Sequence, residues 1–214
     1  MPTATPPQVS YAMDARDYNA RVMQGFFKKI YPVIAEQILA RTGVTTGLCV
    51  DLGGGPGMLG IEYARRTLAH VEICDPLPGC IEVAKENVGA AGLQSRVTAR
   101  LGAAEALPYE DNSVGLVMSR GSIFFWADQA KGLAEVQRVL RPGGWAFIGG
   151  GMGNATLLAE INAARKDDPK WGEGRRKRME ANPPEHFEAI VHKLGLPAVV
   201  EDDEVGTWIV WQKR

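Results

Sequence analysis

One stretch constrains this chain more than any other: Val50-Asp51-Leu52-Gly53-Gly54-Gly55-Pro56-Gly57-Met58-Leu59-Gly60, between an apolar run at 45–52 and a helix-like segment. Glycine reaches left-handed backbone angles without steric cost and lets the main chain approach a ligand closely. A cluster of glycines between a strand and a helix therefore makes a tight turn at a helix N-terminus, where N–H groups face outward. The preceding run is short, mostly apolar and without alternation, as in a parallel strand covered on both faces. Such a strand needs parallel neighbours, and parallel neighbours need crossover connections, usually helices.

The rest of the sequence supplies them. Strands are expected at 71–74, 96–101, 114–118 and 145–148. A helix is expected at 78–91, stopped by Gly92, and another after Asp128, an N-cap for a face carrying Leu133, Val136 and Leu140. Pro142-Gly143-Gly144 should end that helix before the next strand. Upstream, Val22, Phe26 and Ile30, then Val33, Ile34, Ile38 and Leu39, recur at helical spacing. Pro32 is expected to divide two helices there, the second stopping at Gly43.

Downstream of Gly153 a helical stretch runs to about Arg165, and the polar segment 166–181 reads as a long loop or lid. Asn182 and Pro183 open a last helix with Phe187, Ile190, Val191 and Leu194 on one stripe, ended by Gly195. Two runs at 198–202 and 205–212 are separated by so few residues that they must pair as an antiparallel hairpin at a sheet edge. The alternation of strands and helices implies right-handed βαβ units. The expected fold is α/β: a Rossmann-like, doubly wound, mostly parallel seven-stranded sheet with an antiparallel C-terminal strand and helices on both faces. Residues 1–43 are expected as a tail and lid helices, and 44–214 as one domain with a lid insertion near 151–182.

Composition closes off several alternatives. With 24 Lys plus Arg against 25 Asp plus Glu, no global field draws in a polyanion. Only a local basic run, Arg175-Arg176-Lys177-Arg178, could touch an anion or RNA, and no RNA-binding module accompanies it. No apolar run approaches the roughly 18 residues of a membrane span, and the start carries neither a basic region nor an apolar core for secretion, so a cytoplasmic protein without membrane insertion is expected. Cys49, Cys74 and Cys80 are odd in number with no Cys-x-x-Cys spacing, and His70, His186 and His192 are scattered, so neither a disulfide framework nor a metal site is expected.

Two grammars fit the glycine stretch. Gly55-x-Gly57-x-x-Gly60 satisfies a dinucleotide fingerprint, with Asp75 at about the separation of a ribose-binding acid. Asp51-x-Gly53-x-Gly55-x-Gly57 places an acid at the strand end itself and uses Asp75 in the same way. A dehydrogenase needs a substrate domain, and the segments flanking the five alternating strands are too short for one. The second parse resembles motif I of the class I S-adenosylmethionine-dependent methyltransferases. The resemblance extends through Glu72-Ile73-Cys74-Asp75, the run 101–108, Val114 to Ser119, and Leu140-Arg141-Pro142-Gly143-Gly144. Within that family the chain looks most like the small-molecule branch typified by the ubiquinone and menaquinone biosynthetic methyltransferases.

The resemblance implies S-adenosyl-L-methionine as cofactor, with S-adenosyl-L-homocysteine as product. Gly53, Gly54, Gly55 and Gly57 would pass under its methionine portion, with Asp51 near the ammonium group. Asp75 would hold the ribose and Leu77 would flank the adenine, with Pro76 between them also at the cofactor. Ala103 stands where the family often has an Asp for the adenine amino group, beside Ala104 and Glu105. Ser119 and Arg120 would face the methyl-transfer site. Tyr11, Tyr18 and Phe26 on the N-terminal helix, with Ser122 and Trp126 after the fourth strand, would meet a small-molecule acceptor; Trp126 could equally pack the following helix. No residue stands out as a catalytic base, and His186 and His192 lie on the last helix. The competing readings are a nucleotide-binding oxidoreductase and a non-catalytic module that binds S-adenosylmethionine.

Overall fold

The computed structural model describes residues 14–214. Helix α1 (Ala15–Gln24) and a 3-10 turn (Phe26–Lys29) lead into α2 (Ile30–Thr42). Five βα-type strands follow: β1 (Leu48–Leu52), β2 (His70–Asp75), β3 (Val97–Leu101), β4 (Val114–Arg120) and β5 (Leu140–Gly151). Between them run α3 (Met58–Arg66), α4 (Pro78–Ala90) and α5 (Gln129–Val139). Then come α6 (Ala155–Ala164), α7 (Pro169–Ala181) and α8 (Pro184–Lys193), and the chain closes with β6 (Val199–Asp202) and β7 (Gly206–Gln212).

The seven strands form one sheet in the order β3-β2-β1-β4-β5-β7-β6. All pairs are parallel except those of β7, which runs antiparallel between β5 and β6. The Rossmann-like, mostly parallel sheet with its antiparallel C-terminal hairpin is therefore as the sequence patterns imply. The order reverses between β1 and β4, and open sheets of this kind bind ligands at that switch point, beyond the carboxyl ends of the strands.

Two apolar layers cover the sheet. On one face α2 and α3 bury Ile30, Ile34, Ile38 and Tyr63 against Ile73, Leu116 and Met118. On the other α5 and α8 bury Leu133, Val136, Phe187 and Val191 against Val117, Ile148 and Trp211. The three cysteines are buried and unpaired by disulfide, and burial raises their thiols to about 12, so they pack as small apolar residues.

Several boundaries differ from expectation. The break between the first two helices falls at Gly25; Pro32 sits inside the first turn of α2, where its missing N–H costs nothing. The Pro142-Gly143-Gly144 turn is absorbed into β5, where the register against β4 shifts between Val114 and Leu116. Most of the segment expected as a loop at 166–181 is helix α7. Its i,i+4 ion pairs, Lys177 to Glu173 and Arg176 to Glu180, are the helix-forming signal in an otherwise polar stretch. Of the segment 1–43, α2 belongs to the core layer, whereas α1 lies over α4 through Arg16 and Glu86 and through Asn19 and Asn87.

Ile34 is fully buried between α3 and the sheet. Ile34→Ala should lower the stability of the whole domain by about 2 to 5 kcal/mol, measured by denaturant unfolding, because a core cavity replaces the lost side chain.

Candidate cofactor and acceptor site

The site is assembled where β1 hands the chain to α3. Gly53 N–H donates to Cys74 O at 2.7 Å, which lays the loop on the end of β2, and Gly57 N–H closes the turn onto Gly54 O at 2.9 Å. Gly53, Gly55 and Gly57 all have left-handed φ. Their reasons differ. A Cβ on Gly53 would stand 2.2 Å from Ser122 Cβ, and one on Gly57 would stand 2.4 Å from Ile73 Cδ1, so both are glycine because the protein itself fills the space. A Cβ on Gly55 would meet only Tyr18 Cε1 at 3.8 Å, so the loop crest opens onto a cleft.

Two buried carboxylates flank this crest. Asp51 Oδ2 accepts the Gly60 N–H at 2.8 Å. That N–H is the third of α3, which has no side-chain cap of its own, so the strand end caps the helix from nine residues away. Burial pushes the Asp51 carboxyl up to about 7; the Gly60 bond opposes this and the neighbouring Asp75 adds to it. Asp75 accepts Gly55 N–H on Oδ2 and Leu77 N–H on Oδ1, both at 2.9 Å. Burial raises its carboxyl as well, against those two hydrogen bonds. Each carboxylate oxygen keeps a further lone pair for a donor in the cleft.

This donor set bears on the two grammars. A dinucleotide phosphate would use the positive end of α3, but Asp51 already occupies it, and a second acid lies beside the loop. Hydroxyl and ammonium groups fit two acidic acceptors; a pyrophosphate does not.

Asp51, Gly53, Gly54, Gly55, Asp75, Arg120 and Ser122 line one cleft of about 550 Å3 over the carboxyl ends of β1, β2, β4 and β5. Aromatic side chains form much of the rest of its wall: Phe27, Tyr31 from α2, and Phe124 and Phe125 after β4, with Tyr18 from α1 beside Gly55. The Arg120 guanidinium lies over the Phe27 and Tyr31 rings, 5.7 Å from each centroid, and donates through Nε to Gly151 O at 3.1 Å. The aromatic run 124–126 already marks Phe124 and Phe125 in the sequence as part of an apolar wall for an acceptor, and Phe27 ends the expected lid helix; Tyr31 carries no such signal.

The remaining expected residues are placed elsewhere. Trp126 donates Nε1–H to Ser122 Oγ at 3.0 Å and packs so closely on α5 that a Cβ on Gly132 would meet its ring at 2.5 Å. Ser122 Oγ also donates to Leu52 O and lies 2.6 Å from Ser119 Oγ, pinning the loop after β4 to the end of β1. Leu77 packs with Ala15, Cys80 and Val83. Ala103 and Ala104 are buried, and Glu105 accepts the Asp128 N–H at 3.2 Å. Gly57, Pro76, Leu77, Ala103, Ala104, Glu105, Ser119 and Trp126 are not among the residues lining the cleft. Tyr11 and the side chain of Phe26 lie outside the described residues. His186 hydrogen-bonds Gln129 Oε1 at 2.6 Å on α8, and His192 is exposed; neither lines the cleft.

A doubly wound sheet with a glycine turn, a strand-end acid at each side of it and a cleft at the switch point defines a Rossmann-like cofactor-binding protein. A family model described as a methyltransferase domain matches residues 50–148. The solved structure of a protein assigned as an S-adenosyl-L-methionine-dependent methyltransferase from Methanococcus maripaludis superposes with a TM-score of 0.89 at 33% identity, covering 97% of this chain and 96% of that one. An uncharacterized methyltransferase of Mycobacterium tuberculosis is 41% identical over 44% of this chain and 36% of its own length. The ubiquinone/menaquinone biosynthesis C-methyltransferase UbiE of Geobacter sulfurreducens is 32% identical over 48% of this chain and 41% of its own. The chain spans less than half the length of the curated relatives it matches. It belongs to the class I S-adenosylmethionine-dependent methyltransferases.

The geometry of the loop makes two outcomes measurable. Because the folded state raises the Asp51 pKa from its ordinary value near 3.8 to about 7, the native state binds the extra proton in that window. The stability this contributes is fully present below about pH 4 and is lost as pH rises through 7, falling by roughly 1.4 kcal/mol for each pH unit crossed between the two values. Asp51→Asn, which keeps an acceptor for Gly60, should flatten that part of the stability–pH curve in calorimetric melts. The second outcome concerns Gly53→Ala, which should destabilise the ligand-free protein by more than the roughly 1 to 2 kcal/mol that left-handed strain alone costs at Gly55→Ala. Urea unfolding of the pair tests the ordering.

Proposed function

We propose that the protein transfers a methyl group from S-adenosylmethionine to a small-molecule acceptor by in-line displacement, chiefly through positioning. The observation that carries this reading is the split character of the cleft, acidic and glycine-lined at one end, aromatic and basic at the other. When bound, the cofactor supplies an electrophilic methyl on a positive sulfonium. Gly53, Gly54 and Gly55 would let the main chain lie under its methionine portion, Asp51 would face its ammonium group, and Asp75 would accept from the ribose hydroxyls. Ser119 acts at one remove, through Ser122, by holding the loop after β4.

The chain's own part in the reaction is orientation and exclusion of water. Well-oriented reactants gain about 7 to 11 kcal/mol from placement alone, and the aromatic half of the cleft suits that task. Burial holds the Tyr31 phenol well above its ordinary range, so it serves as a hydrogen-bond donor and not as a phenolate base. Helix α1 places Tyr18 beside the glycine crest and Arg21 in the cleft lining, which supports a covering role for it over both halves.

Titration with S-adenosylhomocysteine and with NAD tests the reading. S-adenosylhomocysteine should bind at micromolar concentration and NAD should not; the reverse would favour an oxidoreductase. Asp75→Ala should weaken S-adenosylhomocysteine binding at least tenfold while the protein stays folded, since charge-assisted bonds of about 1.5 to 3 kcal/mol each are lost. Unchanged affinity in the folded variant would remove Asp75 from the cofactor site. Accumulation of S-adenosylhomocysteine on adding acceptors separates an enzyme from a binding module.

A further inference from the structure

We infer that the acceptor is a small organic anion with an apolar, ring-sized body, ionised before it enters and held through Arg120; this rests on the methyl-transfer reading of the same cleft. Arg21, Arg120, Arg165 and Arg178, from α1, β4, the end of α6 and α7, all line that cleft. Asp51 and Asp75 are the only carboxylates among its described lining residues, and both belong to the glycine turn, where they hold backbone N–H groups. Arg21 pairs with Asp17 and Arg165 with Asp168, both at 2.8 Å.

Arg120 takes part in none of the ion pairs among the described residues. Its bonds go to neutral groups, Gly151 O and Met152 Sδ, and its Cζ lies over the Phe27 and Tyr31 rings. Those bonds use Nε and Nη2, so the Nη1 end of the guanidinium can meet an oxygen pair, as arginine does in recognising carboxylates. The basic run 175–178 divides accordingly. Arg176 and Lys177 pair on the helix surface with Glu180 and Glu173, while Arg178 turns over the Phe125 ring, 5.9 Å from its centroid, into the cleft. Phe124, Met152 and Met179 offer the apolar wall for the rest of the molecule, and a volume of about 550 Å3 suits a small ligand.

The missing base points the same way. No histidine, lysine, glutamate or cysteine lines the cleft among the described residues. Both aspartates are engaged at the glycine turn and the Tyr31 phenol is held protonated. An acceptor that had to lose a proton during transfer would depend on Asp51 or Asp75, the two groups that the cofactor's ammonium and ribose hydroxyls would occupy. An acid ionised in solution brings its own electron pair: that pair forms the bond to the methyl carbon, the carbon–sulfur pair stays on sulfur, and no proton passes to the protein.

The experiment uses the full chain, free and saturated with S-adenosylhomocysteine, titrated by calorimetry with matched probes: benzoate, cinnamate and octanoate against benzamide, cinnamamide and octanamide. At least one carboxylate should bind tenfold or more tighter than its amide. Arg120→Gln should cut that ratio below about threefold, and Arg120→Lys should keep part of it. Amides that bind as well as the carboxylates, no carboxylate binding at 10 mM, or a ratio unaltered in Arg120→Gln would each overturn the assignment. Normal S-adenosylhomocysteine binding beside such a failure would leave the methyl-transfer reading standing; loss of S-adenosylhomocysteine binding in the wild-type protein would remove that reading instead.

Discussion

The hydrogen bond from Gly60 N–H to Asp51 joins a strand, a turn and a helix into one rigid unit, and the rest of the site is arranged round it. A buried carboxyl is expensive, and here burial raises it to about 7. The protein keeps it because it caps α3 from below and leaves the turn itself free of side chains. Gly54 and Gly60 are small for the same reason: a Cβ on either would meet Asp51 Oδ2, at 2.7 and 3.1 Å. With the turn clamped this way, Asp75 on the next strand can hold Gly55, and the crest faces open space.

The cleft above this unit has two halves of different origin. The glycine-turn half is set by the sheet, whose parallel register brings Asp51 and Asp75 to neighbouring strand ends. The other half is set by elements that lie over the sheet: α1, the turn at Phe26–Lys29, the start of α2 and helix α7. Guanidinium groups lying over aromatic rings, Arg120 over Phe27 and Tyr31 and Arg178 over Phe125, line that half.

Much of the fold was legible because its signals are local. Gly43 ends α2 in a left-handed cap and Asp128 caps α5 through the Lys131 N–H, as their neighbours in sequence suggest. Where local signals competed, tertiary structure chose. Pro32 is tolerated in a first helical turn, so the preceding Gly25 makes the break. Pro142 to Gly144 could stop a helix or bend a strand; the C-terminal strand decides, because Gly143 N–H donates to Lys213 O and Lys213 N–H to Gly144 O. Trp126 could face a ligand or a helix, and the bare backbone of Gly132 gives it a seat on the helix.

What the sequence by itself determined is the chemistry that neighbouring residues can express: a glycine turn between strand and helix, an acid at each strand end, and the order of strands and helices that makes the sheet. These follow from backbone freedom, capping and periodicity, all of which act over a few residues. Only the tertiary structure decided what the part of the cleft away from the glycine turn presents. Arg120 at the end of β4 meets Phe27 and Tyr31, which precede the first strand, and α7 brings Arg178 over Phe125 from across the chain. Contacts at such separations depend on how the covering helices pack, which no local pattern encodes.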